Sequence, residues 1–286
     1  MNLTAVIATR NRAQQVRRLV NQLNDWHCEI IVVDDHSQEP VSVDGARVIR
    51  NCHRLGGSES WNVGSAKAES DWLLLIADDL LPSPGLQHFI EELLPKLETK
   101  DVVGFRIVGF NRMGSKTVKL PYRTTTISRI LNILFGVDIS HHSGRSKFTT
   151  GAMIFHRNFF SQLGGFDSLT YAGNGFREES DLQWRARNVG GRLTYIEDPF
   201  FEHADVPGGY QKRHSENDVY YMRNQTIFAL RTGGLASPVM ISGFGTWLLV
   251  RGVGISALIK GTAQGISKVV HDRPSSAKIT ISLLVG

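Results

Sequence analysis

The chain has 286 residues, 41% of them hydrophobic, and these values exclude a disordered protein and allow one large domain with a small appendage. The formal net charge of +5 is compatible with an anionic substrate, an anionic membrane face or nucleic acid, and does not choose among them. Two cysteines, Cys28 and Cys52, exclude a disulfide framework, and their separation excludes a C-x-x-C metal pair.

Residues 1–110 alternate short apolar runs with segments of helical spacing. The predicted strands are Leu3 to Ala8, Glu29 to Val33, Arg47 to Arg50, Trp72 to Ile76 and Val102 to Phe110, and the predicted helices are Ala13 to Leu23 and Ser58 to Lys67. This alternation predicts an α/β fold with a Rossmann-like, mostly parallel central sheet flanked by helices. Ligands bind beyond the carboxyl ends of such strands, so we expect the polar residues that follow each strand to converge.

The middle of the chain is less regular. Residues 116–147 are basic and rich in threonine, and we expect a loop there. The elements predicted after it are a strand at Thr150 to Phe155, a helix from Glu178 to Val189, a strand at Arg192 to Ile196 and a loop at Phe201 to Tyr210.

The C-terminal part is a series of apolar stretches broken by single charges. Gly233 to Val250 has no charge over nearly the roughly 20 residues that span a bilayer, but it contains Pro238 and several glycines. These features favour an interfacial helical segment beside anionic lipid over a membrane span. Ordinary packing or an oligomer surface is the remaining alternative.

Pairs of acids follow two of the predicted strands. Asp34 and Asp35 come after the second strand, and Asp78 and Asp79 come after the strand that starts at Trp72. Either pair alone is typical of a solvated turn. The carboxylates of Asp78 and Asp79 also suit Mn²⁺ or Mg²⁺, with phosphate oxygens completing the coordination shell. Those of Asp34 and Asp35 could instead accept hydrogen bonds from the base or ribose of a nucleotide donor.

Three acids, Glu178, Glu179 and Asp181, begin a predicted helix. Acids in a first turn complement the helix dipole, but one of these carboxylates could instead act as a general base. His203 is either a loop histidine or, as a neutral imidazole, a metal ligand. Three cations are either solvated charges or phosphate contacts: Arg10, Arg12 and Lys67.

Nine segments in order and spacing resemble the family 2 glycosyltransferases of the GT-A fold, and the match covers residues 1–230. They are VIATRNR, IIVVDDHS, GGSESWNVG, SDWLLLIADDLLP, TTGAMIFHRNFF, GGFD, REESDLQWRARNVGG, YIEDPFFEH and YYMRNQ. The resemblance includes rhamnosyltransferase-like members among the bacterial surface-polysaccharide enzymes. It implies transfer of a sugar from a nucleotide-diphosphate donor to a hydroxyl of a saccharide or lipid-linked acceptor, with inversion at the anomeric carbon.

The resemblance also implies roles for individual residues. Asp79 is similar to the metal-binding acid of the family's D-x-D motif. The first acid of that motif is replaced by Ala77 in this chain. Glu179 is similar to the family's base, usually an aspartate, and His203 falls where some members place a further metal ligand. The implied contacts are Thr9, Arg10, Asn11, Asp34, Asp35, Asn62, Lys67 and Asp78 for the donor, and Thr150, Gly151 and Asp181 for the acceptor, with Glu178 beside the base.

We therefore expect a GT-A domain over residues 1–225, with a nucleotide-sugar half at 1–110 and an acceptor half at 111–225. Residues 226–286 form a helical segment that suits an acceptor presented at a membrane. The N-terminus lacks the pattern of a secretory signal, so we expect a cytoplasmic protein, in contact with the inner membrane face through this segment.

Features of the sequence also bear on three other functions. A sugar-phosphate nucleotidyltransferase would need a glycine-rich loop after the first strand, and residues 8–12 contain no glycine. Ala77 and Glu179 leave open a nucleotide-sugar or glycan-binding protein that has lost catalysis. Scattered charges and aromatic residues within apolar runs disfavour nucleic-acid binding.

Overall fold

We analysed a computed structural model, which describes residues 1–110, 116–117, 126–136, 143–149, 151–171, 176–204 and 215–272. Thr150, a predicted acceptor contact, lies outside the described residues. The chain divides into two compact units, residues 1–132 with 137–212, and residues 133–136 with 213–286.

Ten strands of the described residues form one sheet. They are β1 (Leu3–Thr9), β2 (Glu29–Asp34), β3 (Arg47–Arg50), β4 (Trp72–Ala77), β5 (Leu80–Pro82), β6 (Asp101–Phe110), β7 (Lys116–Thr117), β8 (Gly144–Arg145), β9 (Met153–His156) and β10 (Arg192–His203). The helices are α1 (Ala13–Leu23), α2 (Gly57–Lys67), α3 (Leu86–Leu93), α4 (Thr126–Phe135), α5 (Arg157–Gln162), α6 (Glu178–Asn188), α7 (Ser215–Thr232), α8 (Ser237–Val250) and α9 (Ile255–His271).

The strand order along the main path of the sheet is β3-β2-β1-β4-β9-β6-β10-β5. Strands β3, β2, β1 and β4 are parallel neighbours, β9 runs antiparallel between β4 and β6, and β10 is parallel to β6. The register places Thr9 opposite Asp34 and Ala8 opposite Ala77. The polar residues that follow β1, β2 and β4 therefore lie at one edge of the sheet, which we call the carboxyl edge.

Alternate residues of the central strands pack into two separate cores. Leu3, Ala5 and Ile7 of β1 face one core, which also holds the buried face of α1, and Val6 faces the other. Leu182 of α6 belongs to the second core. Burial of one such aliphatic side chain contributes about 1.5–3 kcal/mol to stability, so packing on both faces of the sheet stabilises the fold.

The predicted Rossmann-like α/β fold is confirmed, and several predicted elements are corrected in detail. The loop predicted for residues 116–147 contains α4, in which Ile130, Leu131 and Leu134 recur at helical spacing. Residues Phe201 to His203 were predicted to belong to a loop, but they continue β10 through pairing with β5 and β6, and residues 205–210 of that predicted loop lie outside the described residues. The short strand β5 was missed, since its sequence Leu-Leu-Pro resembles a turn.

The second unit contains α7, α8 and α9. Gly261 and Gly265 of α9 lie against α7, where an added Cβ at Gly261 would come within 2.6 Å of the carbonyl oxygen of Val219. These glycines allow the two helices to approach closely. Residue 225, the predicted end of the first domain, lies inside α7, and no helix among the described residues is long and apolar enough to cross a membrane.

Candidate active site

The end of β1 contacts the acids that follow β4. The Thr9 hydroxyl donates a 2.6 Å hydrogen bond to Oδ2 of Asp78. Nη1 of Arg12 lies 2.8 Å from Oδ1 of Asp78 and 2.7 Å from Oδ2 of Asp79. Because β1 and β4 are parallel neighbours, the loops that leave them meet at the carboxyl edge.

Burial and charge act differently on the two partners of this cluster. Burial raises the pKa of Asp78, although Thr9 and Arg12 act in the opposite direction. Burial lowers the pKa of Arg12, but the two neighbouring carboxylates outweigh it, and the net shift is upward. The difference arises because Arg12 is the more exposed partner and faces two negative charges rather than one.

His203 reaches the same acid from the other side. The antiparallel pairing of β10 with β5 sets His203 opposite Leu80, and the amide of Ala204 donates a 2.8 Å hydrogen bond to the carbonyl oxygen of Asp79. Nε2 of His203 lies 3.6 Å from Oδ2 of Asp79, and about half of its side chain is exposed. The structure thus brings together the two residues that were predicted to bind a metal.

These two side chains suit a divalent cation that is only partly held by protein. Adjacent ligands of an octahedral Mg²⁺ or Mn²⁺ ion lie about 3 Å apart and opposite ligands about 4 Å apart, which brackets the observed separation. Within the described ranges, no group of three or more His, Cys, Asp or Glu side chains is arranged around one point. The guanidinium of Arg12 between two carboxylates shows that this position attracts a cation.

The loops after β1 and β2 are tied to each other. The amide of Asn11 donates to the Ser37 hydroxyl at 2.8 Å, and Oδ1 of Asn11 accepts from the amide of Gln38 at 2.8 Å. Asn11 has a φ of 56°, which asparagine tolerates better than most residues. Arg10 is exposed beside it, so both predicted donor contacts lie at the carboxyl edge.

Asp34 and Asp35 are buried and bonded to protein groups. Asp34 accepts hydrogen bonds from the amides of Ser37 and Val41 and from Arg50, and these bonds lower its pKa against the opposing effect of burial. Asp34 has no exposed surface, so its position supports a role in shaping the loop and not in donor contact. Asp35 accepts from the amides of Leu55 at 2.6 Å and Gly56 at 3.0 Å, which holds the loop before α2 beside the carboxyl edge.

Two further predicted donor contacts lie in unfavourable places. Oδ1 of Asn62 accepts from the amide of Phe166, and its amide group donates to Glu59 and to the carbonyl of Phe166, so the side chain ties α2 to another loop. Lys67 ends α2, whose first residue lies near the carboxyl edge, and an 11-residue helix is about 16 Å long. Lys67 therefore lies towards the opposite edge of the sheet, which disagrees with a phosphate contact.

Glu178 and Glu179 form a second pair of acids in the first turn of α6. Burial raises the pKa of Glu178 to about 8, with a further contribution from the charge of Glu179. Burial also raises the pKa of Glu179 to about 7. Oε2 of Glu178 is buried and has no hydrogen-bond partner among the described residues. The pair therefore retains a proton near neutral pH, and Glu179, the more exposed member, can exchange it.

The surroundings of Glu179 fix its carboxylate. A Cβ added to Gly151 would come within 2.1 Å of Oε1 of Glu179, so the carboxylate lies directly over this glycine. Gln183, one turn further along α6, accepts a 2.7 Å hydrogen bond from the amide of Thr149 and so holds the helix against this segment. Because α6 ends just before β10 begins at the opposite edge, its first turn points back towards the carboxyl edge.

Asp181 has a structural environment. Its carboxylate is 1% exposed, accepts a 3.1 Å hydrogen bond from the Tyr171 hydroxyl and pairs with Arg185 at 2.7 Å. Arg185 in turn donates to the carbonyls of Leu163 and Gly165. This network orders the loop before α6, and its burial does not support the predicted acceptor contact at Asp181.

The sequence suggests either a solvated charge or a phosphate contact for Arg12, and it does not reveal the bridge from Arg12 to Asp78 and Asp79. A cation shortly after one parallel strand, with acids at the end of the neighbouring strand, is the signal that could have found it. Asn51 and Ser60 were also missed, although Nδ2 of Asn51 donates to Asp35 at 3.2 Å and to Ser60 at 3.1 Å. Asn51 lies outside the nine segments quoted above and Ser60 lies inside GGSESWNVG, so no single motif links the two and only the structure reveals this pair.

Comparisons with known proteins agree with this fold. The family model described as "Glycosyl transferase family 2" matches residues 4–150. A pre-mycofactocin glycosyltransferase of Mycobacterium tuberculosis is 26% identical over 274 residues, which cover 90% of this chain and 54% of the relative. The chain thus spans about half the length of that curated relative.

Solved structures of similar fold are more distant in sequence. The Pyrobaculum calidifontis mannosyltransferase PcManGT, in complex with GDP-Man and Mn²⁺, is 15% identical with a TM-score of 0.55, over 99% of this chain and 79% of that one. S. aureus TarS residues 1–349, in complex with UDP, is 14% identical with a TM-score of 0.55, over 85% of this chain and 71% of that one. The predicted GT-A fold is confirmed. Because the family model matches half of its length, the chain belongs to glycosyl transferase family 2.

Proposed function

We propose that the chain transfers a sugar, with inversion, from a nucleotide-diphosphate donor to a hydroxyl of a saccharide or lipid-linked acceptor in polysaccharide or glycolipid synthesis. The observation that carries this proposal is the meeting of Asp79 and His203 at the carboxyl edge, with 3.6 Å between their facing atoms. Similar structures hold UDP, UDP-GlcNAc or GDP-Man, which supports a hexose or deoxyhexose donor here.

Asp79 and His203 would hold the divalent metal, which supplies a Lewis acid and neutralises charge on the departing diphosphate. Thr9 fixes the neighbouring carboxylate of Asp78, so that its charge stays beside the ion. Arg10 and Asn11 lie at the same edge, and an exposed guanidinium there suits phosphate oxygens. Asp35 supports this side of the site by holding the loop before α2.

Glu179 is the proposed general base, with Glu178 beside it. A base must be deprotonated to accept the acceptor's proton, and a pKa near 7 balances that requirement against sufficient basicity. Gly151 leaves the space that the Glu179 carboxylate occupies.

A transfer assay with a panel of nucleotide sugars tests the proposal. We expect turnover of one donor in the presence of Mn²⁺, and loss of that turnover in Asp79→Asn. The matched control is Asp25→Asn, which changes an exposed acid outside the site. Donor binding without turnover under varied metals and acceptors would instead support the glycan-binding alternative, and binding of no donor would contradict both.

We further propose that α9 contacts an anionic membrane surface and so presents the enzyme to a lipid-linked acceptor. Four apolar residues that are 45% to 65% exposed share one face of the helix: Ile255, Ile259, Ile266 and Val270. We call this face the α9 stripe. A continuous exposed apolar stripe is typical of a contact surface.

Charge selects the membrane over other partners for the α9 stripe. Six of the 32 basic residues but one of the 27 acidic residues lie after residue 225, so this segment has the whole formal charge of +5 and the rest is neutral. A basic segment with an apolar helix face fits anionic lipid headgroups and the acyl boundary beneath them.

Sedimentation with vesicles tests the membrane contact. We expect the protein to bind vesicles that contain phosphatidylglycerol, to bind less at high salt, and to lose binding in the double variant Ile259→Glu/Ile266→Glu. Val189→Glu, which changes an equally exposed apolar residue of the first unit, is the control and should bind normally. Loss of self-association in the double variant, without any vesicle binding by the unchanged protein, would show that a second copy covers the stripe.

A further inference from the structure

The contact between Arg12 and Asp79 occupies the place where a metal would bind. Nη1 of Arg12 lies 2.7 Å from Oδ2 of Asp79, and this same oxygen faces Nε2 of His203 at 3.6 Å. A cation bound to Asp79 and His203 would therefore share its carboxylate oxygen with a guanidinium. Two positive groups on one oxygen repel each other, so metal binding and the Arg12 contact oppose one another.

Asp78 and Asp79 depend on Arg12 to different extents. Asp78 is 4% exposed and also accepts the 2.6 Å hydrogen bond from Thr9, so it keeps a partner when Arg12 leaves. The carboxylate of Asp79 has only Arg12 and His203 as side-chain partners in the described part of the chain. Departure of Arg12 therefore frees Asp79 in particular, the acid aligned with His203.

Arg12 is placed to change partners without disturbing the fold. Its carbonyl oxygen accepts the first hydrogen bond of α1, from the amide of Val16 at 3.1 Å, and this anchors the backbone. The side chain of Arg12 is 20% exposed, and it extends from the same exposed loop that contains Arg10 and Asn11. A diphosphate at the carboxyl edge would offer the guanidinium a pair of charge-assisted hydrogen bonds in exchange for those it gives up.

We propose that Arg12 is an internal counter-ion of the donor-free site, which it vacates when metal and donor diphosphate bind together. This inference rests on the proposed function, because it requires that the site bind a divalent ion. The donor-free protein then binds the metal weakly because Arg12 must first be displaced. The diphosphate relieves this competition by taking over the guanidinium, so nucleotide and metal each favour the binding of the other.

This inference is tested by titrating the donor-free protein with Mn²⁺. The electron paramagnetic resonance signal of free Mn²⁺ measures how much of the ion is bound. We expect Arg12→Gln to bind Mn²⁺ at least about tenfold more tightly than the unchanged protein. If the Arg12 contact leaves Asp79 accessible in about a tenth of the molecules, the apparent affinity for Mn²⁺ is about tenfold weaker. Arg17→Gln is the matched control, because Arg17 lies on α1 and, among the described residues, donates only to the exposed carbonyl of Ser42. It should bind Mn²⁺ as the unchanged protein does.

A second titration adds UDP, GDP, ADP, CDP or dTDP at saturating concentration. We expect the effective nucleotide to strengthen Mn²⁺ binding by the unchanged protein more than binding by Arg12→Gln, so the difference between them shrinks. Arg12→Ala provides a second variant if thermal unfolding shows that Arg12→Gln does not fold.

Two results would overturn the inference and are distinguishable. Equal or weaker Mn²⁺ binding by both Arg12 variants, while a nucleotide still strengthens binding by the unchanged protein, refutes the role of Arg12 and leaves the proposed function intact. Absence of Mn²⁺ binding by every protein with every nucleotide refutes the metal site itself, and the role of Arg12 with it.

Discussion

Two pairs of adjacent carboxylates in the first unit are both shielded from solvent but differ in the partners that face them. Asp78 and Asp79 face a guanidinium, a hydroxyl and an imidazole, whereas Glu178 and Glu179 are desolvated, and Oε2 of Glu178 has no hydrogen-bond partner in the described residues. The first environment supplies positive charge, and the second favours a retained proton. The same chemical group is thus prepared for a cation in one place and for proton transfer in the other.

The largest expected effect comes from the first pair, because only Asp78 and Asp79 should depend on a metal ion. Asp79→Asn should lower turnover by about 10³-fold or more, because a metal contributes several kcal/mol to stabilising the leaving group. It should also weaken Mn²⁺ binding in the presence of nucleotide. Steady-state kinetics and Mn²⁺ titration check both effects, and normal metal binding by the variant would assign the ion to other residues.

Glu179→Gln should act on proton transfer alone. We expect turnover to fall by at least about 10²-fold, within the range typical of a lost general base, while nucleotide and Mn²⁺ affinities stay unchanged. Single-turnover kinetics with binding titrations separate these effects. A fall in nucleotide affinity that accounts for the loss would move Glu179 into the donor site.

The pH profile of turnover tests the environment of the second pair. With the pKa of Glu179 at about 7, turnover should rise about tenfold per pH unit below that value and level off above it. The profile is measured at saturating donor and Mn²⁺. A plateau that already extends down to pH 5 would show that Glu179 is not desolvated.

A separate expected effect is on the stability of the folded protein. Glu178 has a pKa of about 8 in the folded protein and near 4.5 when unfolded, so the folded state binds more protons between these values. The free energy of unfolding therefore falls as pH rises from about 5 to 8. In Glu178→Gln this fall should be smaller by roughly 2–4 kcal/mol, because the titrating carboxyl is gone. Denaturant unfolding at several pH values measures it. Glu39→Gln, at an exposed glutamate, is the control and should leave the pH dependence unchanged.

The sequence predicted the central sheet well because buried strands and amphipathic helices have strong periodic patterns. The predicted bounds of α1 and β3 match the structure, and those of β1, β2 and β4 differ by one residue at one end. Residues 80–82 and 201–203 were not recognised as strands, because their pairing joins segments far apart in the chain. Such long-range pairing leaves little local signal.

Sequence patterns locate the acids that follow a strand, but they do not reveal which of those acids tertiary contacts bury. Asp79 and His203 were expected to meet, and they do. Asp34 and Asp181 were expected to touch ligands, but each is buried among partners that the sequence does not reveal. A carboxylate that binds a ligand and one that orders a loop have the same local sequence, and only tertiary contacts distinguish them.

The most direct test of the account is calorimetric titration of the unchanged protein with the nucleoside diphosphates UDP, GDP, ADP, CDP and dTDP, with Mn²⁺ or with EDTA. We expect one nucleotide to bind in the presence of Mn²⁺, and its affinity to fall at least about tenfold in EDTA and in Asp79→Asn, because nucleotide and protein share the ion. Equal affinity under all three conditions would contradict a metal-assisted donor site at Asp79.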